Sequence, residues 1–152
     1  MTKELHRLHD IGIIHGDVNA GNVMINVESN QFKIRWIDFG NAYDMGDLQE
    51  CAEMSAEERL WLPPELCQAS AKKLQPHPSQ DIYSFGCLLE AILDKHPSYP
   101  DLKKAFPSIH AFKGTAKNLN PTDRPTLEAF IQNLAEELNP KPTLEASALK
   151  CG

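Results

Sequence analysis

The chain has 152 residues, a formal net charge of -6, 41% hydrophobic residues and 24% charged ones. That length suits one domain with a single hydrophobic core, burying about 70% of the surface an unfolded chain of this size exposes. The composition excludes wholesale disorder, and the negative balance excludes a general attraction to nucleic acid or to an anionic membrane surface.

Residues 1–11 are helix-compatible, with Leu5, Leu8 and Ile11 forming a short apolar stripe before Gly12 ends the helix. Ile13 and Ile14 read as extended, and a loop rich in Gly, Asp and Asn follows. Residues 23–27 and 32–37 are strand-like, and the intervening Glu28-Ser29-Asn30-Gln31 reads as a hairpin turn. Residues 40–62 are acidic and show no sustained period, which predicts a long surface loop, with Pro63-Pro64 opening a short helix. From residue 79 to 93 the apolar positions Ile82, Phe85, Gly86, Leu89, Ile92 and Leu93 recur at helical spacing behind a Ser79 N-cap. Cys87 and Leu88 widen that face, which predicts a central helix buried on most sides. The Pro-broken stretch 97–107 predicts one short helix around residues 102–106, and residues 126–138 a last amphipathic helix ahead of a fraying tail.

Cys51, Cys67, Cys87 and Cys151 form no CxxC pair, so neither a zinc ribbon nor a redox motif is indicated and reduced thiols are expected. The most apolar stretch, residues 82–93, is interrupted by Ser84, Gly86 and Glu90 and is too short to span a bilayer. An intracellular, cytoplasmic protein without membrane or nucleic-acid partners is the default expectation.

Five motifs carry the chemistry. His15-Gly16-Asp17-Val18-Asn19-Ala20-Gly21-Asn22 follows an HxDxxxxN pattern between the apolar pair and the first strand-like run, and Trp36-Ile37-Asp38-Phe39-Gly40 follows the second. Downstream stand Trp61-Leu62-Pro63-Pro64-Glu65, then Asp81-Ile82-Tyr83-Ser84-Phe85-Gly86, then Asn120-Pro121-Thr122-Asp123-Arg124-Pro125-Thr126. In this order and spacing they resemble the catalytic loop, the DFG motif, the end of the activation segment, the start of the long buried helix and the approach to the final helix of eukaryotic-type protein kinases. The resemblance implies a mainly α (α+β) fold: a kinase-like C-terminal lobe over residues 1–138, a helical bundle around a central buried helix with one small hairpin, and a flexible tail at 139–152.

By the same resemblance Asp17 is the catalytic carboxylate beside the acceptor hydroxyl, and Asn22 and Asp38 bind Mg²⁺ and, through it, ATP. His15, Phe39 and Gly40 are structural; Asp81 accepts hydrogen bonds from catalytic-loop N–H groups, and Glu65 pairs with Arg124. The other histidines, His6 and His9 among them, have no supporting carboxylate or cysteine cluster for a metal.

The sequence also departs from the family pattern. Asn19 stands where these kinases carry a lysine that reaches the transferred phosphate, Gly16 where they carry arginine, and Glu57-Glu58 where they usually place Gly-Thr. Lacking that arginine, a phosphorylated loop has no anchoring cation here. The 152 residues hold no glycine-rich phosphate loop, strand lysine, partner glutamate or hinge, so the expectation is an isolated lobe with weak Mg²⁺-ATP binding and little or no independent transfer. The exposed face toward the other lobe is then expected to take a protein partner or to self-associate. Two other readings compete: a non-catalytic, pseudokinase-type interaction module, and a small-molecule kinase of the aminoglycoside or choline type, which the HGD triplet favours and PPE, DIYSFG and DRPT oppose.

Overall fold

The computed structural model describes residues 1–29, 31–50, 60–67 and 73–139. Helix α1 (Thr2–Asp10) leads into strand β1 (Ile13–Ile14), a 3₁₀ turn at Ala20–Asn22, and the hairpin strands β2 (Val23–Glu28) and β3 (Gln31–Trp36). Strands β4 (Tyr43–Asp44) and β5 (Gln49–Glu50), helix α2 (Pro64–Cys67) and strand β6 (Lys73–Leu74) follow. Then come helices α3 (Pro78–Leu93), α4 (Tyr99–Ala105), α5 (Pro107–Thr115) and α6 (Leu127–Leu138), with a 3₁₀ turn at Pro121–Asp123 before the last. Among the described residues the fold is mainly helical, with three two-stranded antiparallel sheets. No described helix is long and apolar enough to cross a membrane.

Most elements fall where periodicity placed them, and the exceptions have local causes. Helix α3 is capped by His77 rather than Ser79: Pro78 takes the first helical position, where its missing N–H costs nothing. The His77 side chain accepts from Ser79 N–H at 3.2 Å, and Gln80 Oε1 accepts from His77 N–H at 3.4 Å. The expected single helix within 97–107 is α4, and a second helix, α5, begins immediately after it. Pro107 forces Phe106 out of helical geometry (φ -133°, ψ 71°) and then starts the new helix itself. The expected unstructured run 40–62 contains two short strands, because β1 and β6 offer it edges: Ile13 pairs with Asp44, and Gln49 with Leu74. Residues 51–59, and with them Glu57 and Glu58, lie outside the described residues, as do Cys51 and residues 140–152. Ile11, expected on the buried stripe of α1, is 70% exposed because the helix has ended at Asp10.

The core gathers Leu5, Val18, Trp36, Ile82, Phe85, Leu88, Phe112, Ala116, Leu127 and Phe130. Helix α3 supplies its middle, and α1, α5 and α6 pack around it; where α3 meets the end of α5, a Cβ on Gly86 would sit 2.8 Å from that of Ala116, so only glycine permits the approach. Aromatic rings run through this core edge to face, from Trp36 to Phe85 (6.4 Å) to Phe112 (5.8 Å), and Phe112 stacks on Phe130 at 4.2 Å. The last turn of α3 leaves the core, and Ile92 is 48% exposed, so burial on most sides holds only for the first three turns.

The hairpin is two-faced. Val23, Ile25 and Val27 lie opposite Trp36, Ile34 and Phe32, making one wholly apolar face, while Met24, Asn26 and Glu28 oppose Arg35, Lys33 and Gln31 on the other. Trp36 at its root is buried; Ile25, Val27 and Phe32 toward its tip are 60%, 60% and 75% exposed.

Candidate active site

The loop carrying Asp17 is fixed from below by α3. The Asp81 carboxylate, 1% exposed, accepts from His15 N–H at 2.8 Å and from Gly16 N–H at 3.0 Å. His9 Nε2 lies 2.9 Å from the same carboxylate, and because an ionised carboxylate can only accept, His9 is the donor. Gly16 sits at φ +76°, and a Cβ there would lie 2.1 Å from the Asn41 carbonyl oxygen. The loop and the turn after Gly40 are thus in direct backbone contact, which explains glycine where the family pattern has arginine. Gly16→Ala should destabilise the fold by about 1–3 kcal/mol through left-handed strain and the clash together. A urea midpoint unchanged from the parent chain would show that the Asn41 turn gives way freely.

Asp17 is held by amides on both sides. Asn19 Nδ2 donates to Oδ1 at 2.6 Å and Asn22 Nδ2 to Oδ2 at 2.8 Å. Asn19 is itself pinned, its side-chain oxygen accepting from Gly21 N–H at 2.8 Å as the cap of the 3₁₀ turn. Each Asp17 oxygen keeps a lone pair free. Asn19 therefore orients the acidic group, whereas the family's lysine would supply charge. Asn22 is buried, and its Nδ2 also donates to the Asp17 carbonyl at 2.9 Å, so its side-chain oxygen takes no part in holding Asp17.

The second motif is tied to the first by the hairpin root, where Ile37 N–H donates to the Asn22 carbonyl at 3.0 Å. Asp38, the next residue, takes a left-handed conformation (φ 61°) that turns the chain, with Oδ1 accepting from Gly40 N–H at 3.2 Å. Phe39 packs on the His15 ring (5.0 Å between centroids), and His15 meets Trp36 edge-on at 5.5 Å, so the loop ring joins the aromatic path through the core. His15 is fully buried; its Nδ1 accepts from Asp17 N–H at 3.3 Å, and Nε2 has no hydrogen-bond partner among the described residues.

Glu65 and Arg124 form a two-point ion pair on the far side of α3, at 2.6 and 2.8 Å. The guanidinium also donates to the carbonyls of Ser79 (2.9 Å) and Asn118 (2.8 Å), and stacks over the Tyr83 ring at 4.9 Å. Burial, followed by the Cys87 thiol, pushes the Tyr83 phenol above its ordinary range. Burial likewise pushes the Cys87 thiol up to about 11, so it is a protonated, poorly nucleophilic group.

The structure brings His15, Asp17, Asn22, Asp38, Phe39 and Gly40 together at one end of the hairpin, with Asp81 beneath them; Glu65 and Arg124 stand apart as a brace. Two participants go unrecognised in the sequence. The first is His9, which bonds to Asp81; His6 separately lies 3.0 Å from Asp10 on its own helix. Asn19 reads as a lost charge yet bonds directly to Asp17. For His9 the available signal was its position one helical turn inside the buried face begun by Leu5. No group of three or more His, Cys, Asp or Glu side chains among the described residues could hold a metal.

The protein kinase domain family matches residues 1–147, and the chain belongs to that family. It is similar to serine/threonine-protein kinase 10-A of Xenopus laevis, 27% identical over 88% of this chain, and to mitogen-activated protein kinase kinase kinase 6 of Homo sapiens, 28% identical over 93%. It also resembles receptor-type guanylate cyclase gcy-2 of Caenorhabditis elegans, 30% identical over 88% of this chain. The chain spans only 16%, 11% and 12% of the lengths of these three relatives.

Proposed function

We propose that these residues form the substrate- and metal-side lobe of a protein kinase, transferring the terminal phosphoryl group of Mg²⁺-ATP to a protein hydroxyl. The observation that carries this reading is the clamped carboxylate of Asp17, held at both oxygens by Asn19 and Asn22 with a lone pair free on each. Asp17 would orient the acceptor hydroxyl and take its proton as the oxygen bonds to phosphorus and the bond to the departing nucleoside diphosphate breaks. Mg²⁺ fits the donors present: the side-chain oxygen of Asn22 and the carboxylate of Asp38 are hard ligands on adjacent chain segments, and this ion keeps several waters and phosphate oxygens besides. When bound it would neutralise charge developing on the phosphates.

The 152 residues hold no glycine-rich phosphate loop, strand lysine or hinge, so useful ATP affinity requires further kinase elements, on the same polypeptide or another. The apolar hairpin face is the surface such elements would cover, because it continues from the strands that set Asn22 and Asp38 and exposes Ile25, Val27 and Phe32. The test is a radiolabelled-ATP assay with and without a separately expressed kinase N-terminal lobe, alongside light scattering across protein concentration. Transfer is expected only with the added lobe and to vanish in Asp17→Asn. Transfer that survives Asp17→Asn sinks the catalytic assignment, and a chain that stays monomeric and binds no added lobe sinks the role of the hairpin face.

A further inference from the structure

A groove of about 470 Å³ opens where the end of α1 meets the starts of α3 and α6, and none of the residues gathered around Asp17 lines it. Met45, Ile82 and Leu127 give it apolar surface, and Asp10 and Glu128 bring two carboxylates to it. The charge there is unbalanced. Arg124 is the one Lys or Arg lining it, and that side chain is completely buried and committed to Glu65 and the Ser79 and Asn118 carbonyls. Glu128 has no ion-pair partner among the described residues, and Asp10 has only the His6 ring, 3.0 Å away.

His9 supplies an independent observation. Its side chain, 9% exposed, lines the groove, and its Nε2 donates to the Asp81 carboxylate. A neutral imidazole has one donor and one acceptor nitrogen, so Nδ1 carries a lone pair. That lone pair has no hydrogen-bond partner, yet His15 Nε2 is the only buried side-chain atom without one among the described residues, so His9 Nδ1 is open to the groove. The ring cannot turn its other edge outward without breaking its bond to a carboxylate that is itself buried. It is a preformed acceptor.

We propose that this groove binds an organic cation, a guanidinium or ammonium group on a short aliphatic stem. Its N–H donates to His9 Nδ1, Asp10 and Glu128 balance its charge, and Met45, Ile82 and Leu127 cover the stem. An anion would meet two carboxylates and no free cation, and a neutral apolar molecule would leave the His9 nitrogen without a donor. His77 adds one donor, because its Nδ1 accepts from Ser79 N–H and its hydrogen therefore sits on Nε2. A cation carried on a polypeptide can use that donor through a backbone carbonyl; a simple amine cannot. The site makes no use of Asp17, so it stands or falls apart from the transfer reaction.

The test is a titration followed by NMR at about pH 8, where imidazole is ordinarily neutral, with butylguanidinium, butylammonium, pentanol and pentanoate as probes. Both cations should bind about ten-fold more tightly than pentanol, the sum of a donated hydrogen bond and two weak charge contacts. Pentanoate should not bind. The His9 Nδ1 resonance should move in the direction of an accepted hydrogen bond while that of Nε2 holds still. Glu128→Gln and Asp10→Asn, both at exposed positions, should each weaken the cations about two- to five-fold and leave pentanol unchanged. That split separates lost charge from a damaged groove. N-acetyl-Gly-Arg-Gly-amide identifies the source: binding tighter than butylguanidinium assigns the site to a polypeptide side chain, weaker binding to a free amine, and either order upholds it. The proposal is overturned if pentanol matches the cations, if His9 Nδ1 does not move at saturation, or if both variants bind the cations as the parent chain does.

Discussion

Glu65→Ala is expected to lower the unfolding free energy by about 3–5 kcal/mol, since it strands a guanidinium that the fold has removed from water. The Arg124 side chain is completely buried, while that of Glu65 is 21% exposed, so the two deletions are not equivalent. Without Glu65, Arg124 keeps the Ser79 and Asn118 carbonyls but no compensating charge. Without Arg124, Glu65 can turn toward solvent, and the loss is that of two carbonyl partners and the packing against Tyr83. The double variant Glu65→Ala/Arg124→Met should be more stable than the sum of the single effects requires, by about 0.5–3 kcal/mol. Chemical denaturation of the three variants decides this. Purely additive losses, or a Glu65→Ala cost under about 1 kcal/mol, would mean that the pair is solvated in solution and braces nothing.

The difference between what could be read from the sequence and what could not follows the range of the interactions. The hairpin, α3 and α6 are legible because their signals are local: alternation on either side of a turn, apolar residues at helical spacing, and a Thr126 side chain that accepts from Ala129 N–H at 3.2 Å. The motif order is legible for the same reason, since each motif occupies a fixed place beside an element. His9 joins Asp81 across 72 positions, and no window of sequence contains both. Asn19 is a different case. Its neighbour Asp17 is only two residues away, but a side chain that both caps a 3₁₀ turn and orients a carboxylate resembles an ordinary turn asparagine until the backbone is known. Strands β4 and β5 are two residues each, below any periodic signal, and exist because β1 and β6 present partners. The glycine at position 16 reads as a missing cation in sequence and as a required close approach in space.

Asp81→Ala should be at least as damaging as loss of the ion pair, at about 3–5 kcal/mol, and its effect should concentrate at the loop that carries Asp17. The carboxylate serves three donors: two successive backbone N–H groups, at His15 and Gly16, and the His9 ring. Hydrogen bonds to a charged acceptor contribute about 1.5–3 kcal/mol each, and a buried N–H left without one costs a comparable amount. His9→Ala removes only one of the three and leaves both N–H groups satisfied, so it should cost about half as much or less. The two variants therefore separate support of the loop backbone from attachment of α1. Native-state hydrogen exchange reads the distinction residue by residue. In Asp81→Ala the amides of His15 and Gly16 should lose their protection well before those in the middle of α3, because the loop detaches while the aromatic core from Trp36 to Phe130 persists. In His9→Ala the same two amides should stay protected. If Asp81→Ala leaves them as slow to exchange as in the parent chain, the loop is held by the Gly16 contact with Asn41 instead, and the carboxylate is not its anchor.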